Sequence, residues 1–215
     1  MVKNDLDVYF IAGSQDVKNG DLLPVLENAL QAGITMFQFR EKGPNSFIHN
    51  PEMKRELAIQ CQALCNKYSI PFIINDDVEL AISIKADGIH VGQDDTPIEE
   101  VLKRVGLDMI VGLSTSNAQE VADAEKIEGL DYIGLGPVFA TTSKEDTDPV
   151  LGIQGLKDII GRGRKRPIVA IGGLSIVNAS DVRKSGVDGL AVISAMTKSN
   201  NMMETVEQLK GNRIE

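Results

Sequence analysis

Short apolar runs alternate with longer amphipathic stretches along the whole chain, and this alternation narrows the fold more than any other feature. The runs are Val8–Ala12, Met36–Phe39, Phe72–Ile74, Gly88–Val91, Met109–Leu113, Tyr132–Leu135, Ile168–Ile171 and Gly189–Ile193. They are too short for buried helices and read as strands. Between them, Leu22–Ala32, Pro51–Tyr68, Asp77–Ile84, Ile98–Val105, Asn117–Gly129, Ile153–Ile160 and Asn178–Ser185 carry helical patterns, and Met202–Lys210 closes the chain. Four junctions, QAGITMFQF, KADGIHV, EGLDYIGL and KSGVDGLAV, put Gly or Asp-Gly between helix and strand, as near-copies of one βα unit would. Eight strands alternating with eight helices is the count of a (β/α)8 TIM barrel, an α/β fold. The alternative, an open doubly wound sheet, usually stops at about six strands. A length of 215 residues suits one such barrel, and no linker, low-complexity tract or composition shift divides the chain. A single barrel domain over residues 1–215 is therefore expected.

Hydrophobic residues make up 42% and charged residues 25%, the balance of a soluble globular protein. No apolar run approaches the roughly 18 residues that span a bilayer. The N-terminus MVKNDLDVYFIAG lacks the apolar core and cleavage site of a secretion signal. Cys61 and Cys65 lie four apart in a helical pattern with no histidine nearby, short of the four ligands of a structural metal site. They read as free thiols in a reducing compartment, and the cytoplasm is the expected location. A net charge of −9 argues against a nucleic-acid partner but not against small phosphorylated ligands, which need only local cations and backbone N–H groups. Oligomeric state is left open, a homo-oligomer included.

In a barrel of this kind the chemistry gathers at the C-terminal ends of the strands. There the chain carries Gln38-Phe39-Arg40-Glu41-Lys42, then Asn75-Asp76-Asp77, then His90 to Asp95, then Ser114-Thr115, Gly136–Pro149, Gly172-Gly173 and Ile193-Ser194. Alternation puts Gln38, Arg40 and Lys42 on one face, toward the mouth. Asp76 or Asp77 could cap the helix that follows, and Asp94 and Asp95 carry the same ambiguity ahead of Ile98. His90, between Ile89 and Val91, reads as a hydrogen-bonded barrel residue rather than a metal ligand or a general base.

Two aspartate clusters on consecutive strand ends nevertheless bring carboxylates within reach of one hard cation. Mg²⁺ is typically held by one or two carboxylates and by substrate phosphate oxygens. With Arg40, Lys42 and Lys144 around the same anion, this mixture of signs suits a magnesium-bound diphosphate. Gly172-Gly173 and Ser194-Ala195 lie where many barrels bind a second phosphate, so two phosphorylated small-molecule substrates are expected. The stretch Gly136–Pro149 reads as a lid, with Thr141, Thr142, Ser143 and Lys144 as donors when it closes.

The motifs QFREK, INDDVELA, ADGIHVGQDD, GLSTS, DYIGLGPVFATTSK, AIGGL and VISAM occur in the order, and near the spacing, of the thiamine-phosphate synthase family, which the chain resembles from about Tyr9 to about Met196. That family joins 4-amino-5-hydroxymethyl-2-methylpyrimidine diphosphate to thiazole phosphate, forming thiamine phosphate and pyrophosphate. The resemblance implies that Gln38, Arg40, Lys42 and Asn75 hold the pyrimidine diphosphate, with Ser114 and Lys144 as further contacts. It implies that Asp76 and Asp95 bind magnesium, and that Thr141, Ser143, Gly173, Ile193 and Ser194 contact the thiazole phosphate. Asp77 and Asp94 become supporting or capping residues. Where the family often has Thr-x-Thr-Lys, this chain has Thr141-Thr142-Ser143-Lys144, which keeps the hydroxyl and loses a methyl.

The family's reaction is drawn as dissociative and needs no strong protein base. Arg40, Lys42, Ser114 and Lys144 then act on the charge of the leaving group. The nearest rival is a thiazole tautomerase-like relative that binds thiazole phosphate without coupling. Arg40, Lys42, Lys144 and both aspartates speak against it. A sugar-phosphate isomerase or epimerase would want an acid and a base flanking one carbon, and the strand ends supply no such pair. A non-catalytic thiamine-precursor sensor would have no need of magnesium ligands.

Overall fold

The structure, a computed structural model, describes residues 2–141 and 149–211. Eight parallel strands close on themselves in chain order: β1 (Val8–Ala12), β2 (Met36–Phe39), β3 (Phe72–Asn75), β4 (Gly88–Val91), β5 (Ile110–Thr115), β6 (Tyr132–Leu135), β7 (Ile168–Ile171) and β8 (Gly189–Val192). β8 returns to β1 through Val8↔Leu190, Tyr9↔Ala191 and Phe10↔Val192, so the sheet has no free edge. The expected (β/α)8 barrel is the observed fold.

Alternate side chains divide between two packed regions, as the two-residue period of a strand requires. Tyr9, Ile11, Met36, Ile73, Tyr132, Val169 and Ala191 fill the barrel interior. Val8, Phe10, Phe37, Phe39, Phe72, Ile74, Ile133 and Leu190 face outward into the layer beneath the helices. That outer shell is formed by α2 (Leu22–Ala32), α3 (Pro51–Lys67), α4 (Val78–Ile84), α5 (Ile98–Val105), α6 (Ala118–Ala124), α7 (Gly152–Ile160), α8 (Ala179–Arg183) and α10 (Met202–Lys210). Two short helices were not expected. α1 (Val2–Asp5) packs Val2 against the interior cluster, beside the fully buried Leu6, and α9 (Ser194–Thr197) directly follows β8. Among the described residues, no helix is long and apolar enough to cross a membrane.

The near-copies in the sequence have a physical counterpart. The residue just before each even-numbered strand accepts a hydrogen bond from the first N–H region of the preceding strand. Val8 N donates to Thr35 Oγ1 (2.9 Å), Phe72 N to Asp87, Val111 N to Asp131 and Ile168 N to Asp188, the last three at 2.8 Å. A buried N–H left without a partner is costly, so a short polar residue recurs at this junction.

Some boundaries differ from the sequence reading. β5 runs to Thr115, because Ser114 and Thr115 pair with Gly134 and Leu135 of β6 despite their polar side chains. The helix expected over Asn117–Gly129 ends at Ala124. There Arg166 donates to the carbonyls of Glu125 (2.6 Å), Leu130 (2.9 Å) and Ile127, holding the segment that follows in a non-helical path and taking the Glu125 acceptor that a helix continued to Gly129 would have used. Asn117 caps α6 through Gln119 N and Glu120 N.

Candidate active site

The strand ends form a mouth whose two sides are built differently. On the first side, β2 continues into Arg40, Glu41 and Lys42. Glu41 is buried and accepts from Ser14 N (2.6 Å), Ser14 Oγ (2.8 Å) and Phe47 N (2.6 Å), tying the β1 and β2 loops together. Gln15 donates to the Arg40 carbonyl (2.7 Å). The backbone around Arg40 is thereby fixed from two directions. The Arg40 side chain is only 9% exposed and lines the mouth, with no hydrogen bond or ion pair to any of the described residues. Its charge is felt by Asp16, whose carboxyl is pushed up by burial and drawn back by the Gly13 N–H and by Arg40.

Next to it stand the acidic residues. Asp76 adopts a left-handed backbone (φ 61°), tolerated by Asp better than by most residues, and its N–H bonds to the His90 carbonyl (2.9 Å). Its carboxylate lies 2.8 Å from Lys42 Nζ, and that ammonium is also 3.7 Å from Asp95. Asp95 accepts from Gly92 N (2.9 Å). Burial, together with the neighbouring Asp95, raises the Asp76 pKa against the pull of Lys42. Asp95 is held below the ordinary carboxylate range, because Asp76, the Gly92 N–H and Lys42 outweigh its burial. Lys42 is pushed up, its partial burial outweighed by the two carboxylates.

Asp77 has a different task. It caps α4 by accepting from Leu80 N (3.0 Å) and pairs with Lys54 (2.7 Å). Neither Asp94 nor Asp95 caps α5, whose N-cap is Pro97. Asp94 lies exposed at the rim of the mouth. Of the adjacent acidic pairs, one member of each turns to the Lys42 cluster.

These groups meet in a cavity of about 310 Å³, lined among the described residues by Arg40, Lys42, Asn75, Asp76, His90, Asp95, Ser114 and Thr141. Gln38 faces the same interior one layer down, 2% exposed, with Nε2 donating to Tyr9 OH (2.7 Å). A second, smaller cavity is lined by Thr141, Gly173, Ile193 and Ser194, and it shares Thr141, Ile171 and Gly172 with the first. Expected residues for two ligands are thus gathered into two adjoining spaces. Ser143 and Lys144, with Thr142, lie outside the described residues.

The stretch after β6 departs from the expectation of a structureless lid over Gly136–Pro149. Its first part is bonded on both sides: Gly136 N to Thr115 O, Val138 N to Ile171 O, and Phe139 N to Gly172 O, at 2.9–3.0 Å. Gly172 and Gly173 have φ of 96° and 64°, and a Cβ on either would come within 2.7 Å of Pro137, Phe139 or Ala140. The glycine pair therefore receives the chain's own loop, in addition to whatever anion approaches it. Asn178 holds the turn by donating to the Gly173 carbonyl (3.0 Å).

Two carboxylates with a cation already between them form a fitting partial site for a hard divalent ion. Among the described residues there is no group of three or more His, Cys, Asp or Glu that could hold a metal. Such a pair suits Mg²⁺, which takes its remaining ligands from water and substrate oxygens, better than a metal that demands a closed protein cage.

Sequence reasoning missed the supports of this site: Glu41, Gln93 (Nε2 to Ser114 O, 2.7 Å), and the tyrosines Tyr9 and Tyr132 beneath the mouth. A tyrosine in an apolar strand gives no sign of what its hydroxyl meets. The glycines opposite, Gly112 and Gly134, were the available signal of interior space.

The family model described as thiamine monophosphate synthase matches residues 8–196. The thiamine-phosphate synthase of Actinobacillus succinogenes is 48% identical, covering 97% of each chain. That of Listeria monocytogenes is 49% identical, again covering 97% of both. Among solved structures, the thiamine phosphate pyrophosphorylase from Pyrococcus furiosus superposes with a TM-score of 0.82 at 33% identity, covering 98% of this chain and 96% of that one. The 3-hexulose-6-phosphate synthase from Salmonella typhimurium shares the fold alone, with a TM-score of 0.69 at 14% identity, covering 95% of this chain and 97% of that one.

Proposed function

The chain belongs to the thiamine monophosphate synthase family, and from that premise we propose that it condenses 4-amino-5-hydroxymethyl-2-methylpyrimidine diphosphate with thiazole phosphate to give thiamine phosphate and pyrophosphate. The observation that carries the reading is Arg40, a guanidinium 9% exposed and unpaired among the described residues, in one cavity with Lys42, Asp76 and Asp95. A buried cation without a partner calls for an anion from outside. Carboxylates in the same space repel a bare diphosphate and favour one that arrives with a metal.

In this reading the first cavity takes the pyrimidine diphosphate. Arg40, Lys42 and Ser114 contact its phosphate oxygens, and Lys144 supplies a further cation from outside the described residues. Asn75 and Gln38 hold the pyrimidine side. Asp76 and Asp95 would hold Mg²⁺, which when bound neutralises part of the charge on the diphosphate. The smaller cavity takes the thiazole phosphate through Thr141, Gly173, Ile193 and Ser194, and Ser143, outside the described residues, supplies a further donor. The C–O bond to diphosphate breaks with its electron pair on the leaving oxygen, and the electron-rich pyrimidine carries the cation. The thiazole nitrogen then attacks the methylene carbon. No proton has to be removed by the protein, which agrees with a mouth whose histidine has both ring nitrogens engaged, to Tyr132 and Ser114. What the residues supply is fixed charge at the departing group and alignment of the two partners.

The test is pyrophosphate release by the purified protein with both substrates present and Mg²⁺ added or withheld. The reading requires release that depends on all three components, with thiamine phosphate formed in equal amount. Binding of thiazole phosphate without pyrophosphate release would instead favour the tautomerase-like reading.

A further inference from the structure

Below the mouth, a chain of polar side chains crosses the barrel from β2 to β5. Gln38 Nε2 donates to Tyr9 OH (2.7 Å), Tyr9 OH meets Tyr132 OH (2.9 Å), Tyr132 OH meets His90 Nδ1 (3.0 Å), and His90 Nε2 meets Ser114 Oγ (2.8 Å). Both tyrosines are fully enclosed, Tyr9 at 1% exposure and Tyr132 at 0%. Space for the rings is made by neighbours without side chains. His90 pairs in register with Gly112, and Gly112 with Tyr132. A Cβ on Gly112 would lie 2.2 Å from the Tyr132 ring and 2.4 Å from His90 Nδ1.

Starting from the Gln38 N–H, and with His90 neutral, one proton order gives both buried hydroxyls of this chain an acceptor. The Gln38 amide N–H occupies one side of Tyr9 OH, so the Tyr9 proton has Tyr132 OH as its acceptor among the described residues. Tyr132, having accepted there, sends its own proton to His90 Nδ1. A neutral imidazole that accepts at Nδ1 carries its hydrogen on Nε2 and donates it to Ser114 Oγ. With a neutral imidazole, any other order leaves a hydroxyl proton in the interior without an acceptor among the described residues, a cost a barrel core avoids. Burial raises the pKa of both phenols, so neither loses the proton the chain needs. Ser114 Oγ, already accepting from His90, is left to point its hydrogen into the mouth.

We propose that Tyr9, Tyr132 and His90 are positioning residues whose one-way chain of hydrogen bonds, starting at Gln38, fixes the Ser114 hydroxyl as a donor to a ligand oxygen. The identity of that oxygen, on the diphosphate, rests on the function proposed above; the direction of the chain does not. With the chain cut at Tyr132, His90 can carry its hydrogen on Nδ1 and accept from Ser114, which turns the serine hydrogen away from the substrate. The loss then runs through Ser114 alone.

Two measurements test this. The chain contains two histidines, His49 and His90, so nitrogen NMR of the labelled wild-type protein, with His49→Asn for assignment, reads the His90 tautomer directly. The expected result is hydrogen on Nε2 and a bare Nδ1; hydrogen on Nδ1 alone overturns the proposal. In kinetics, Tyr132→Phe should lower kcat about tenfold, the size of one charge-assisted hydrogen bond, with KM for thiazole phosphate unchanged. In a Ser114→Ala background the same substitution should change kcat no further. Equal losses in both backgrounds would mean that Tyr132 acts through general packing, and the proposal fails. A wild-type protein that releases no pyrophosphate defeats the coupling reading and not the chain, which the NMR result then decides alone.

Discussion

A guanidinium held at 9% exposure with no carboxylate in hydrogen-bond reach among the described residues is a burden to the fold, and Arg40→Met separates that burden from its use. The substitution should leave thermal stability unchanged or slightly raised, while affinity for the pyrimidine diphosphate falls about 100-fold, as the loss of charge-assisted bonds to phosphate dictates. Thermal unfolding and calorimetric titration on the same sample read both effects. The adjacent aspartates divide in the opposite way. Asp76→Asn keeps a residue that tolerates the left-handed backbone and should abolish most Mg²⁺-dependent turnover in a folded protein. Asp77→Ala should keep turnover and cost about 1 kcal/mol, the worth of a helix cap. The pKa of Asp77 is lowered from 3.8 in the folded protein: burial, which opposes this, is outweighed by Lys54 and the Leu80 N–H. Its stabilisation is therefore complete above that ordinary value and fades as pH falls through the lowered one. Urea unfolding from neutral to strongly acid pH should show the gap between wild type and Asp77→Ala closing only at the acid end. Residue pattern alone places both aspartates at a strand end and leaves either free to cap the helix; only the family resemblance gives the metal to Asp76 and the supporting or capping role to Asp77. The sorting is done by the backbone turn at Asp76 and by Lys54, which lies 23 positions from Asp77.

At the scale of elements, the strand count and phase were readable because each apolar run is short and each junction repeats. What could not be read is why the junctions repeat. Asp188 is 3% exposed at its side chain, accepts from Ile168 N (2.8 Å), and is paired with Arg164 and with Lys3 (3.0 Å). Its partners come from three separate parts of the chain. Replacing it with Ala leaves a strand N–H without its acceptor and a largely buried arginine without its carboxylate, with only the Arg166 and Gly186 carbonyls remaining to it, so Asp188→Ala should cost about 3 kcal/mol. Denaturant midpoints measure this, and KM for both substrates should not move, since the junction lies at the opposite end of the barrel from the mouth. The same kind of distant partner explains the helix that stops at Ala124. Arg166, some forty positions later, binds the carbonyls of Glu125 and Leu130 just beyond it, and no local signal in Asn117–Gly129 records that. The polar end of β5 falls outside the apolar run Met109–Leu113 for the opposite reason: Ser114 and Thr115 carry polar side chains, yet their backbones are committed to β6.

Over the whole molecule, a chain of net charge −9 gathers Arg40 and Lys42 at one side of a mouth and glycine and hydroxyl residues at the other. The two cavities meet at Thr141, Ile171 and Gly172, so ligands placed in each would face one another across a shared wall. The central claim is that the first space is a clamp for a metal-bound diphosphate and the second is a separate anion site. The most direct test is calorimetric binding of pyrophosphate, the proposed leaving group, to the wild-type protein with and without Mg²⁺, followed by competition with each substrate. The account predicts binding that requires Mg²⁺, is displaced by the pyrimidine diphosphate, and is indifferent to thiazole phosphate. Binding without Mg²⁺, or displacement by thiazole phosphate, would contradict it.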